Sequence, residues 1–318
     1  MGLIDISQWP SGDQRFVPIG KRIKKVVLHP ETFDLFYFKE PKEKYPWEFW
    51  NEIIAYKVGN KLGFNVLKYE VATLDGIGGC LSKSMTEDFI QELIHGQQVL
   101  LRIYPEFETK KGTDHTFQLV ESFFKSLKKE EEKLIINDFI NMLVFDSVIG
   151  NRDRHQQNWA IIREIKIQIR PNKYFGLKKD TNSPIITRTV RFSPLFDNGN
   201  CLAYNIIEEN LDSFINDDYK LEKYLFGEKA VSHLKWFGAA MPHIELLKHI
   251  AKIYPDVILN SIKKVNENFN ENIINDIVLN IDNGIIFADE KYFLSPKRKE
   301  LISKLITIRT KRLLQEFL

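Results

Sequence analysis

Two short stretches hold the side chains best suited to chemistry. In Ile149–Ile162 an apolar helix runs into a polar turn and a short apolar strand runs out; the turn carries Asp153 and, five residues on, Asn158. A later turn, Ser193–Asn200, supplies Asp197 followed by small and polar residues. An Asp, an Asn five residues later and a further Asp form a minimal set for moving a phosphoryl group from Mg·ATP to a hydroxyl. Asp153 can accept or orient the hydroxyl proton, and the hard oxygens of Asn158 and Asp197 can hold the magnesium that bridges the phosphates. A lone Asp in a turn is usually a turn former; here the companion residues and ordered flanks carry the reading. His155 can orient the loop, pack against the second turn or share in proton transfer, and orientation is favoured because Asp153 already has the base position. Arg152 and Arg154 can pair with carboxylates or with substrate.

The motif D-R-H-x-x-N at Asp153–Asn158, followed by F-D-N-G at Phe196–Gly199, resembles the catalytic core of HipA-like serine/threonine kinases. These are distant relatives of the phosphatidylinositol kinases, which also carry D-R-H-x-x-N. The resemblance implies an α+β, two-lobed protein-kinase-like fold, with a small, mainly β N-lobe at 1–85 and a larger, mainly α C-lobe at 86–318. It also implies ATP and Mg2+ as cofactors, with Asp153 as base and Asn158 and Asp197 on the metal. The D-F-G of ordinary kinases is replaced by Asp197-Asn198-Gly199, so toggling of a Phe is not assumed.

Those residues need elements to position them. Leu134–Ile149 is apolar on nearly all sides and predicts a buried helix directly ahead of the loop. Lys24–Leu28 and Phe33–Lys39 predict a hairpin turning at His29–Thr32. Lys39 ends its strand. Trp47–Leu62, with Pro46 before it and Gly63 after, predicts a helix that carries Glu52 among apolar neighbours. A strand Lys followed by a helix Glu is the ion pair that positions ATP phosphates in kinase folds, and Lys39-Glu40-Pro41 and Asn51-Glu52 match the HipA-like order. Glu48 is the competing partner. Strands are predicted at Asn65–Leu74 and Cys80–Met85, with Thr86 capping a helix over Glu87–Arg102. By resemblance the exit of that last strand is the hinge, and adenine bonds backbone groups of Leu81, Ser82 and Lys83. By the same resemblance the phosphate-covering loop falls on Phe16–Lys25, with Gly20 and Lys21 as the candidates.

Farther on, Pro105–Thr116 reads as a polar loop, Phe117–Leu127 as a helix with Phe117, Phe123 and Phe124 in the core, and Lys128–Lys133 as a solvated helix start. Strand-like Trp159–Ile169 and Ile185–Phe192 predict an enlarged hairpin, a basic insertion at about 163–192. It is either a solvated surface or a docking face for an acidic or nucleic-acid-linked substrate. Helices follow at Leu211–Phe226 (broken), Ala230–Met241, Ile244–Ile253, Val257–Asn268, Ile273–Ile281 and Pro296–Leu318. The last reads as an amphipathic surface helix, and Trp236 and Phe237 read as core.

The 318 residues suffice for two lobes; 43% are apolar, 28% charged, and the net charge is +2. Near neutrality argues against a dedicated nucleic-acid binder. Cys80 and Cys201 are too few for a metal cage, and a reducing cytoplasm is expected. Met1–Asp5 lacks a basic region followed by an apolar run, so no signal peptide is expected. No run approaches about 18 apolar residues, so no membrane span is expected. The resemblance implies a protein substrate, with translation factors or aminoacyl-tRNA synthetases as examples, a DNA-binding antitoxin as partner, and a toxin–antitoxin role. The competing readings are a lipid or small-molecule kinase and a non-catalytic nucleotide-binding module.

Overall fold

The computed structural model describes residues 2–12, 24–87, 90–170 and 183–318. In the small lobe, β-branched and aromatic runs pair as expected. Lys24–Leu28 (β2) lies antiparallel to Leu35–Lys39 (β3), in register from Lys24↔Lys39 to Leu28↔Leu35. Glu70–Leu74 (β4) and Ile77–Lys83 (β5) continue the sheet, and Ile4–Asp5 (β1) runs parallel to β4, giving the order β1-β4-β5-β3-β2. One face buries Ile6, Val27, Phe38, Ala72, Leu74 and Leu81.

Phe49–Lys61 (α1) packs against this sheet and is buried on most of its faces. Its weak amphipathicity has a tertiary cause: the helix is covered from both lobes. Phe49 and Trp50 meet Phe287 and Tyr292 edge to face or nearly so, and the Trp50 indole donates to the Tyr292 carbonyl at 2.6 Å. The chain end thereby holds a small-lobe helix.

The larger lobe is built on Lys129–Ile149 (α4), whose residues from Ile135 onward are mostly buried, as its sequence predicts. Around it lie Phe117–Lys125 (α3), His243–Ala251 (α7), Pro255–Asn268 (α8) and Pro296–Phe317 (α10), and Glu271–Leu279 (α9) packs on α10 and α1. Leu211–Ile215 (α5) and Asp218–Phe226 (α6) form a satellite cluster with α10. The expected hairpin is present as Ala160–Arg170 (β7) and Ser183–Phe192 (β8). Of its basic residues, Arg163 pairs with Glu92 and Lys166 with Glu164 at 3.2 Å; Lys173, Lys178 and Lys179 lie outside the described residues.

Five expectations are corrected. Glu87–Arg102 is not one helix: Gln91–His95 (β6) is a strand on β7, and the helix Gly96–Ile103 (α2) begins at the supposed interruption. Thr86 caps nothing there; its N–H donates to the Ser84 hydroxyl at 3.3 Å. The ladder to β7, remote in sequence, overrides local periodicity. Ala230–Met241 is irregular, with bridges Val231↔Pro242 and Trp236↔Ala239 in place of helix. Phe237 is 75% exposed and sits at the tip of that turn with φ +45°. Finally, α10 is a core helix, burying Leu301, Ile302, Leu305, Ile306 and Leu313 together with Arg298 and Arg309. Its arginines mimic a solvated face because they are buried against backbone carbonyls: Arg298 Nη2 donates to Ile206 O at 2.6 Å and Arg309 Nη2 to Leu225 O at 2.8 Å.

Candidate active site

Helix α4 stops at Gly150, which takes the left-handed conformation (φ +67°) that favours glycine; an added Cβ would meet the Arg309 guanidinium at 2.8 Å. The next residues turn inward. Asn151 is buried; its Oδ1 accepts the Asp153 N–H at 3.0 Å, and its carbonyl meets His243 Nε2 at 2.8 Å. Arg154 also points inward, although its neighbours in sequence are polar. It grips Asp146 of α4 through two bonds of 3.0 and 2.7 Å. It also donates to the carbonyls of Asn158 (2.7 Å) and Phe196 (2.6 Å) and to Asn198 Oδ1 (2.7 Å). One guanidinium therefore fastens α4, the Asp153 loop and the Asp197 turn together. Burial pushes the Asp146 carboxyl up, while Arg154 works against that shift. Arg152 lies over the Tyr224 ring and donates to the Tyr224 carbonyl.

Asp153, His155, Asn158 and Asp197 all line one cleft of about 1160 Å³ between the lobes. The Asn158 amide nitrogen donates to the Asp153 carbonyl at 2.7 Å, which orients the side chain and leaves Oδ1 as its remaining polar atom. Asp197 sits at φ +55°, a left-handed position that Asp tolerates better than most residues. Asn200, three residues on, donates to Asp153 Oδ2.

From the small lobe, Lys39 reaches Asp197 Oδ1 at 2.6 Å and is hydrogen-bonded to Glu52 Oε1. Both Lys39 and Glu52 are buried, and Glu52 Oε2 accepts the Asn198 N–H at 2.7 Å. Glu52 thus joins the lysine to the Asp197 turn. Glu48, the competing candidate, faces Lys42 at 3.7 Å instead. Tyr69 was not singled out from sequence, yet it is buried beside the Asp197 turn; burial first, and then the Glu52 charge, push its phenol well up.

His155 accepts the Gln157 N–H at 3.2 Å and lies edge-on to His233, which also lines the cleft, at 5.8 Å. The ring against the Asp197 turn is His95, on Phe196 at 5.8 Å. Leu81 and Ser82 are buried in β5, and Lys83 pairs with Asp34 at 2.7 Å; none of the three lines the cleft. β4 begins opposite Leu81, so among the described residues Ser82 and Lys83 pair with β3 alone. Gly20 and Lys21 lie outside the described residues.

The donor set fits magnesium. Two hard oxygen side chains face one cleft, and Mg2+ usually combines one or two carboxylates with substrate phosphates rather than filling an all-protein cage. Among the described residues no group of three or more His, Cys, Asp or Glu could form such a cage. Both cysteines are buried and free. No helix among the described residues is long and apolar enough to cross a membrane.

No family model matches the chain, and no curated protein matches it. Solved structures do. The chain is similar to the Helicobacter pylori proinflammatory kinase CtkA at 18% identity, with TM-score 0.76, covering 99% of this chain and 96% of that one. It is also similar to HipA in the HipA, HipB and operator DNA complex of the Shewanella oneidensis MR-1 toxin–antitoxin system. There the identity is 10% and the TM-score 0.55, covering 95% of this chain and 67% of that one. The likeness to HipA-like kinases, read first from two short motifs, therefore holds for the fold along nearly the whole chain.

Proposed function

We propose that this chain is an ATP- and magnesium-dependent serine/threonine protein kinase. The observation that carries the reading is the meeting of Asp153, Asn158 and Asp197 in one cleft, with Lys39 on Asp197 and Glu52 behind it. Mg2+, when bound with ATP, supplies charge neutralisation across the phosphates. Asn158 and Asp197 would hold it. Lys39, kept in place by Glu52, would face the phosphates. Asp153 receives the proton of the acceptor hydroxyl, whose oxygen bonds to the γ-phosphorus as the β–γ bridging bond breaks and ADP leaves with the electron pair. Asn200 keeps Asp153 Oδ2 occupied, so one carboxylate oxygen is directed to the proton. His155 holds the loop, and adenine would bond backbone groups at the exit of β5, beyond the lining of the main cleft, where β4 no longer pairs with Ser82 and Lys83.

The experiment is transfer of labelled γ-phosphate into protein, followed by identification of the labelled amino acid. Asp153→Asn should lower transfer by about 10²–10⁴-fold, the usual worth of a general base, while ATP binding persists. Label on lipid or small molecules alone would move the acceptor class, and ATP binding without any transfer would favour a non-catalytic module. A HipB-like DNA-binding antitoxin as partner, and with it a toxin role acting on translation enzymes in the cytoplasm, extends this proposal. The Shewanella complex motivates that extension, and co-purification of a DNA-binding protein with the chain tests it.

A further inference from the structure

The loop between α2 and α3 has no role in the reading above, yet Thr109, Lys110 and Lys111 line the cleft beside Asp153. It is a built loop. The Glu108 carboxylate accepts the N–H groups of Lys110 at 2.8 Å and Lys111 at 2.7 Å. Lys235 Nζ donates to the Thr113 carbonyl at 2.9 Å, and Thr116 caps α3. Gln156, from the Asp153–Asn158 loop itself, donates to the Thr109 carbonyl at 2.8 Å. Gly112 lies against that Gln156 amide at φ +60°, where a Cβ would collide with it. The loop is thus bolted to the catalytic loop, and its two lysines have a fixed relation to Asp153.

Neither lysine forms an ion pair among the described residues, although many of the chain's other lysines do. Across the cleft, Glu40 is engaged by Lys25 at 3.1 Å and Lys42 by Glu48 at 3.7 Å. Glu43 lies on that opposite lip. Two adjacent exposed ammonium groups beside the proton-accepting carboxylate form a cationic shelf where an acceptor must arrive. Attraction between separated exposed charges is modest and screened by salt, but it steers and selects partners.

We propose that Lys110 and Lys111 dock the acceptor, and that the acceptor hydroxyl belongs to a protein segment with Asp or Glu beside it. The inference rests on the kinase reading. It is tested with three serine peptides of one length, flanked by Glu, Gln or Lys, each with labelled ATP and Mg2+. The wild type should show a KM for the Glu peptide about tenfold below that for the Gln peptide, a gap that narrows as salt is raised. Lys110→Glu/Lys111→Glu should reverse the order in favour of the Lys peptide and leave the KM for ATP unchanged. Equal use of all three peptides by the wild type, or a charge-reversed protein whose only change is in the KM for ATP, would overturn the docking role and spare the kinase reading. Failure of the wild type to transfer phosphate to any acceptor would overturn both.

Discussion

Asp153, Asn158 and Asp197 stand out in the sequence by their types and spacing, Lys39 and Glu52 by the HipA-like order around them, and the structure brings the five together at one cleft. The contacts that hold them do not stand out. Arg154 lies between two residues that line the cleft, and nothing local to the chain shows that it turns inward to Asp146 eight positions back. Removing one partner of such a buried pair leaves an uncompensated charge, so Asp146→Ala should cost about 3–5 kcal/mol of unfolding free energy, measured by denaturant titration. Asn200 was missed for a similar reason: an Asn after a turn glycine looks like more turn. Its bond to Asp153 Oδ2 leads us to expect that Asn200→Ala lowers kcat about tenfold with nucleotide Kd unchanged, one hydrogen bond to a charged group being lost.

His243 carries a pH prediction at the same scale. Burial, and next the Arg309 charge, lower its pKa from 6.5 to about 3. The unfolded chain therefore takes up this proton first. The stability contribution is complete above pH 6.5 and drains away as pH falls toward 3. Between pH 6.5 and about 5 the slope of roughly 1.4 kcal/mol per unit removes about 2 kcal/mol. Denaturant titrations at several pH values should show this acid-side loss, and His243→Phe should lessen the slope by one proton. An unchanged slope would assign the titration elsewhere.

At the scale of elements, the sequence foretold those whose signal is local. Helix α4 was apolar all round, α1 lay between Pro46 and Gly63, and the β2–β3 and β7–β8 pairs had strand-like runs. It misjudged elements whose conformation depends on distant partners. β6 becomes a strand because β7 lies alongside it, although Gln91–His95 belongs to a stretch with helical periodicity. The run Ala230–Met241 carries apolar residues that α3 and its neighbours absorb without helix: Trp236 stacks on Phe117 at 5.7 Å and on His249 at 5.2 Å. The junction of α4 with the Asp153 loop gives the test at this scale. Gly150→Ala forces a side chain into a left-handed residue beside Arg309, so it should cost at least about 1 kcal/mol by denaturant titration and lower phosphate transfer with it.

For the whole molecule, the distinctive feature is that both lobes hold α1. In this arrangement Glu52 is kept on Lys39 by a helix that Phe287 and Tyr292 clamp from the far end of the chain. No local sequence signal could report a contact spanning 242 positions. Trp50→Ala should cost about 3–5 kcal/mol and reduce transfer, although Trp50 does not line the cleft.

The central claim is that Asp153, Asn158 and Asp197 surround one metal-bound triphosphate in different roles. Calorimetry of ATP binding with and without Mg2+ tests it most directly. The wild type and Asp153→Asn should bind ATP more tightly when Mg2+ is present, whereas Asp197→Ala and Asn158→Ala should lose that enhancement. Equal enhancement in all four proteins would contradict the assignment of the cleft.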